Sequence, residues 1–93
     1  MAKIIWSDLA IDDLKSIHDY ISKDSTRYAA EMVERIIQWI DQLENFPNSG
    51  RIVPEFNNEL IRELIIDNYR IVYIVSEPFI SIARIHHSAR LIF

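Results

Sequence analysis

Cysteine is absent from this 93-residue chain, which excludes a disulfide framework, a thiolate nucleophile and a zinc site built on sulfur. A single glycine excludes the glycine-rich loops that cradle phosphates, because such loops need several positions without a Cβ. No run approaches the roughly 18 apolar residues of a membrane span, and the start, MAKIIWSDLA, lacks the apolar core of a signal peptide. The expectation is a soluble, cytoplasmic protein with no bound membrane, metal or cofactor. Cations are also scarce: ten Lys and Arg face fourteen Asp and Glu, giving a net charge of −4 and a pI near 5.2. Affinity for a phosphate backbone comes mostly from cationic side chains that displace counterions, so the overall field opposes nucleic acid. Sequence-specific DNA binding by this chain is not expected.

What is present suffices for one folded domain over residues 1–93. Hydrophobic residues make up 49% of the chain and the charges are mixed, so a single core can form and disorder is excluded. Residues 2–6 read as a short strand. Ser7 supplies an N-cap for a helix over 8–22, whose apolar positions are Leu9, Ala10, Leu14, Ile17, Tyr20 and Ile21. SKDS at 22–25 breaks it, and a second helix over 26–45 carries Tyr28, Ala29, Met32, Val33, Ile36, Ile37, Ile40 and Leu43, with Trp39 at the flank. The short connection predicts an antiparallel helical hairpin. Phe46-Pro47 ends the second helix, NSG at 48–50 turns, and RIVPEFNN reads as a loop pinned by Pro54. From Glu59 the period changes to two, predicting strands over 59–66, 69–76 and 79–86 joined by Asp67-Asn68 and Glu77-Pro78. The order β-α-α-β-β-β is an α+β fold: a helical hairpin packed on a small, mainly antiparallel sheet. The other face of that sheet is expected to stay open, with Ile61, Ile65, Val72, Ile74 and Phe79 more apolar than a solvated face requires.

One side chain breaks the pattern. In NYRIVYIV, residues 68–75, Arg70 stands among Val and Ile in the most strand-like run of the chain. A guanidinium there needs a partner, which is either a bound phosphate or carboxylate or an internal glutamate. A two-residue turn at Asp67-Asn68 pairs residue 62 with 73, placing Arg62 on the Tyr69/Tyr73 face and Arg70 on the opposite one; a three-residue loop would bring both arginines to one face. His86 and His87 are adjacent on a strand and point to opposite sides, so they do not form a metal pair. Trp6 and Trp39 read as packing residues, His18 as solvent-facing, and Glu55 as a loop residue that pairs with a nearby arginine.

Three motifs in order carry a resemblance: GRIVPE at 50–55, IREL followed by NYRIVY over 61–73, and HHSAR at 86–90. With the β-α-α-β-β-β pattern they make the whole chain resemble the RelE/ParE superfamily of toxins from type II toxin–antitoxin modules, known also for plasmid stabilisation. The resemblance implies a cognate antitoxin as partner, whose disordered segment folds along the open apolar face near Arg70 and the last strand. It also implies one of two mechanisms. The gyrase-poisoning branch ends its last strand in H-x-x-R, matched here by His87 and Arg90, although Leu91 departs from the Asp that often follows. The ribosome-dependent ribonuclease branch uses a metal-free site for which His87, Arg70 and Glu55 are the candidates here. That branch carries a basic cluster, however, and this chain has Ile61 and Glu63 around Arg62, Ser88 late in the chain, and Phe93 rather than Tyr at the end. The leading expectation is a ParE-like gyrase inhibitor that causes growth arrest, with Arg51, Arg62, Arg70, Tyr73, His87 and Arg90 as target or partner contacts. A degenerate homologue that only binds antitoxin is the third alternative.

Overall fold

Two helices lie on one face of a five-stranded sheet in the computed structural model, which describes residues 1–87. The strands are β1 (Lys3–Trp6), β2 (Arg51–Ile52), β3 (Ile61–Ile66), β4 (Tyr69–Ser76) and β5 (Phe79–His87), in sheet order β1-β5-β4-β3-β2. The last three form the expected antiparallel meander. β1 joins it in parallel at β5, and the helical hairpin carries the chain from β1 to β2 at the opposite edge of the sheet. The helices are α1 (Asp8–Ser22) and α2 (Thr26–Asp41), and a 3₁₀ turn over Gln42–Glu44 finishes the segment expected to be helical to 45.

Caps set both helix starts. The Ser7 hydroxyl accepts from the Ala10 N–H at 3.0 Å and donates to the Ala83 carbonyl at 2.8 Å, while Ser25 accepts from the Tyr28 N–H at 3.1 Å. Ala83 is the extra residue of a β-bulge, since Val72 pairs with Arg84 but Tyr73 with Ile82. The N-cap of α1 therefore also satisfies a carbonyl at an irregular point of the ladder. Ala10, Ile21, Ala29, Met32, Ile36, Ile40 and Leu43 from the helical layer meet Leu64, Ile66, Ile71, Tyr73, Val75, Ile80, Ile82 and Ile85 from the sheet to form the core. Trp6 packs against it as expected. Trp39 does not: it is 46% exposed, and Leu9, Tyr20, Tyr28 and Ile37 from the predicted apolar stripes are exposed as well. The buried arc of each helix is narrower than its apolar arc.

Two further departures concern the segment between α2 and β3. Arg51–Ile52, expected in a loop, pairs antiparallel with Glu63 and Arg62 of β3. The following residues fold over the middle of the face expected to be open, where Val53, Glu63, Arg70 and Val72 are all buried. At the margins of that cover the face is open as predicted. Ile5, Ser81, Ile74 and Ile61 are aligned across four strands, and Ile5, Ile74, Phe79 and Ile65 are exposed.

Candidate functional site

The turn between β3 and β4 decides how the candidate residues are grouped. Ile66 pairs with Tyr69 across a two-residue turn in which Asp67 takes a left-handed backbone (φ 50°), and Arg62 pairs with Tyr73. Arg62 and Tyr73 therefore share the helix-side face, while Arg70 is on the other. The two arginines belong to two separate clusters.

Arg70 is 7% exposed, and each of its three nitrogens donates to a carboxylate of the chain itself. Its Nε donates to Glu63 Oε1 at 2.6 Å, and its Nη1 and Nη2 donate to Glu55 Oε2 and Oε1 at 2.8 and 2.9 Å. Glu63, 1% exposed, accepts a second guanidinium, with Arg51 Nε at 2.6 Å from its Oε2. Arg51, Glu63, Arg70 and Glu55 thus form a continuous alternating chain of charges, the internal of the two partners that a strand arginine could have. The planar fork of Arg70 suits a carboxylate held bidentately. Hydrogen bonding to Glu55, then to Glu63, raises the Arg70 pKa above its ordinary value. In turn the Arg70 hydrogen bonds hold the Glu55 carboxyl down at about 2 against burial. His86 lies opposite Arg70 in the ladder and is buried with it.

On the helix-side face Tyr73 is fully buried, and its hydroxyl accepts from the Gly50 N–H and donates to the Pro47 carbonyl, each at 2.9 Å. Arg62 Nη1 donates to the Gly50 carbonyl at 2.9 Å. A Cβ on Gly50 would stand 2.6 Å from the Glu63 carbonyl oxygen and 2.7 Å from the Tyr73 hydroxyl, so only glycine fits. Burial pushes the Tyr73 phenol up, with the Gly50 N–H and the Arg62 charge opposing it. Arg62 and Tyr73 together clamp the turn that launches β2, and β2 delivers Arg51 to Glu63.

His87 is exposed at the end of β5, with its ring edge-on to Tyr69 at 5.8 Å and 82°. His86 and His87 face opposite sides, as their adjacency requires. Ser88 and Arg90, the remainder of the HSAR match, lie outside the described residues. The first five contact candidates thus divide three ways: Arg70 and Arg51 in the ion chain, Arg62 and Tyr73 in the turn clamp, and His87 at the surface.

Sequence reading missed two features. Glu63 registers there as a departure from a basic pattern, yet the two-residue turn already places it diagonal to Arg70 on one face. Asp13 stands in the acidic stretch DLAIDDL, which in sequence reads as a solvated helix face. Its carboxylate accepts from Arg84 Nε and Nη2 at 2.8 and 3.0 Å and from the Ile85 N–H at 2.9 Å. β1 pairs with β5 only as far as Ile82, so Asp13 satisfies an edge donor beyond its reach. Burial raises its pKa, but the Arg84 and Ile85 hydrogen bonds outweigh that and the net direction is down.

A helical hairpin on a five-stranded, mainly antiparallel sheet is a fold shared with toxins of the RelE/ParE type. The structure described as the chromosomal ParDE TA system from P. aeruginosa matches it with a TM-score of 0.77 over 94% of this chain and 96% of that one, at 24% identity. Sequence then defines the family: the model for the ParE toxin of the type II toxin–antitoxin system, parDE, matches residues 4–92, and the chain belongs to that family. Toxin RelE2 of Caulobacter vibrioides is 35% identical over 91 residues, covering 98% of this chain and 100% of that protein. Among the described residues no helix is long and apolar enough to cross a membrane.

Proposed function

We propose that this toxin acts on a protein target, DNA gyrase, rather than by cutting messenger RNA, and that a cognate antitoxin holds it inactive. The observation that carries this reading is how its cations are used. Arg27 pairs with Glu31, Arg35 with Asp67, Arg51 with Glu63, Arg70 with Glu55 and Glu63, and Arg84 with Asp13, while Arg62 donates to the Gly50 carbonyl. Each described arginine is thus engaged inside the chain. Metal-free RNA cleavage needs cations free to stabilise a phosphorane, together with a base near neutrality for the 2′-OH. Three Arg70 N–H donors are committed to Glu63 and Glu55, and Glu55, held at about 2, is a weak base at neutral pH. A protein surface makes no such demand.

An antitoxin is supported by the exposed row of Ile5, Ile74 and Phe79, since an apolar sheet face of this kind suits an amphipathic helix or an added strand. The P. aeruginosa relative is described as a ParDE system, a toxin together with its partner. Induction of the toxin, scored in parallel for chromosome breaks and for loss of message, tests the reading. Breaks with intact message are expected. Ribosome-dependent cuts in message that vanish in His87→Ala or Arg70→Ala would replace this reading with the ribonuclease one. Tight antitoxin binding without growth arrest would leave only a partner-binding homologue.

A further inference from the structure

Two guanidinium groups flank β2, the outer strand of the sheet, and keep donors to spare. Arg51 gives its Nε to Glu63, but its Nη1 and Nη2 make no hydrogen bond to a described residue, and its side chain is 59% exposed. Arg62 gives Nη1 to the Gly50 carbonyl, while its Nε is buried without a partner. Among the described residues it is the one arginine with no carboxylate at ion-pair distance. In a chain with fourteen Asp and Glu, leaving this cation unmatched and one of its N–H groups unsatisfied carries a cost that the Gly50 contact alone does not explain.

β2 separates the two groups. Arg51 pairs with Glu63 on the face away from the helices, whereas Arg62 lies with Tyr73 on the helix side and reaches Gly50, the residue before Arg51. The Val53 N–H donates to the Ile61 carbonyl at 3.1 Å, so alternation along β2 turns the Ile52 N–H and carbonyl outward. No strand of the described residues pairs there. β2 is thus an unpaired edge with a guanidinium on each face, and such an edge is a template for an added strand. The exposed apolar row also leads to it: Ile61, the last residue aligned from Ile5, is the one bonded to Val53.

We propose that this edge binds an extended, acidic segment of the antitoxin, with one carboxylate on Arg51 and the carboxylate of the adjacent residue on Arg62. This rests on the antitoxin reading above and deepens it. The placement of the two cations favours a peptide over a phosphate. Neighbouring side chains of a strand point to opposite faces, so two consecutive acidic residues meet Arg51 on one face and Arg62 on the other. One phosphate needs donors that converge, and these two diverge around the backbone of β2. So short a strand supplies few main-chain hydrogen bonds; the charges carry most of the affinity, which therefore falls as salt rises. The clamp that confines Gly50 holds Arg62 in place before the partner arrives.

The test measures the affinity of the full-length toxin for its cognate antitoxin at low and high salt, in wild type, Arg51→Lys, Arg62→Lys and the double variant. Lysine keeps a cation for Glu63 and a donor for the Gly50 carbonyl but lacks the fork, so a purely structural role survives the change. The expected result is affinity lowered about tenfold or more in the double variant, less at high salt, with a thermal midpoint close to wild type. An antitoxin whose two consecutive Asp or Glu residues become amides should lose the same affinity toward wild type, and little more toward the double variant. Should the double variant fold poorly, the single variants decide by the same criteria. Wild-type affinity in the folded variants overturns the proposal. So does a loss that no pair of antitoxin carboxylates shares, or wild-type binding of a short single-stranded RNA that the variants lose. A wild-type toxin that forms no complex removes the antitoxin reading and the proposal with it, whereas a complex that tolerates both substitutions removes only the role of this edge.

Discussion

Gly50 is confined between the backbone of β3 and the ring of Tyr73, and its replacement makes a sharp test of that clamp. A Cβ there would overlap the Glu63 carbonyl and the Tyr73 hydroxyl, both fully buried and neither a flexible chain end. Gly50→Ala should therefore cost about 1–3 kcal/mol in a denaturant titration, as other overpacked sites do. Wild-type stability would show that the turn can move aside. Glu55 offers a second test through pH. Its carboxyl is depressed from 4.5 to about 2 by Arg70, so the stabilisation it contributes is complete above pH 4.5 and fades as pH falls through about 2. Glu55→Gln lacks that contribution, and the gap between its melting temperature and that of wild type should narrow across this window. A gap constant with pH would mean that the charge of Glu55 is not what holds the loop. Both residues stand in the GRIVPE motif; that Glu55 pairs with an arginine was legible there and is borne out, but which arginine it is, and what confines Gly50, was not. These partners come from strands 13 to 23 positions later, through a register and a loop path that no local pattern encodes.

Elements that depend on local chemistry were legible: capped helix starts, the period-two strands and the two-residue turn at Asp67 all follow from adjacent residues. What was not legible depends on contacts between distant segments. β2 is two residues long and has no periodicity of its own; it exists because β3 offers an edge and Tyr73 fixes the turn before it. The segment after β2 covers the centre of a face whose strand pattern implied an open surface. Its Val53 and Glu55 fill and neutralise what the strands leave there. Asp13 belongs to this class too, since its value arises where β1 stops short along β5. Asp13→Ala leaves the Ile85 N–H without that acceptor, and should cost about 1–3 kcal/mol in thermal or chemical unfolding. Asp13→Asn, which keeps an acceptor but not the charge, should recover part of the loss. Equal stability of Ala and wild type would show the contact to be incidental.

Across the whole molecule, the acidic balance visible in the composition becomes a spatial arrangement in which carboxylates lie against the arginines. Glu63 is the centre of it, buried between Arg51 and Arg70. Removing one member of a buried ion network leaves the others uncompensated, so Glu63→Gln should destabilise by about 3–5 kcal/mol. A change below about 1 kcal/mol would mean that water replaces the carboxylate without strain. The proposed function rests on the same arrangement: it requires that arginines paired in this way leave no cation for a phosphate transition state. Mapping cuts in a defined message by primer extension, in a reconstituted translation reaction with the purified toxin, tests that claim most directly. The account predicts an uncut message; cuts that require the ribosome and disappear in Arg70→Ala would contradict it.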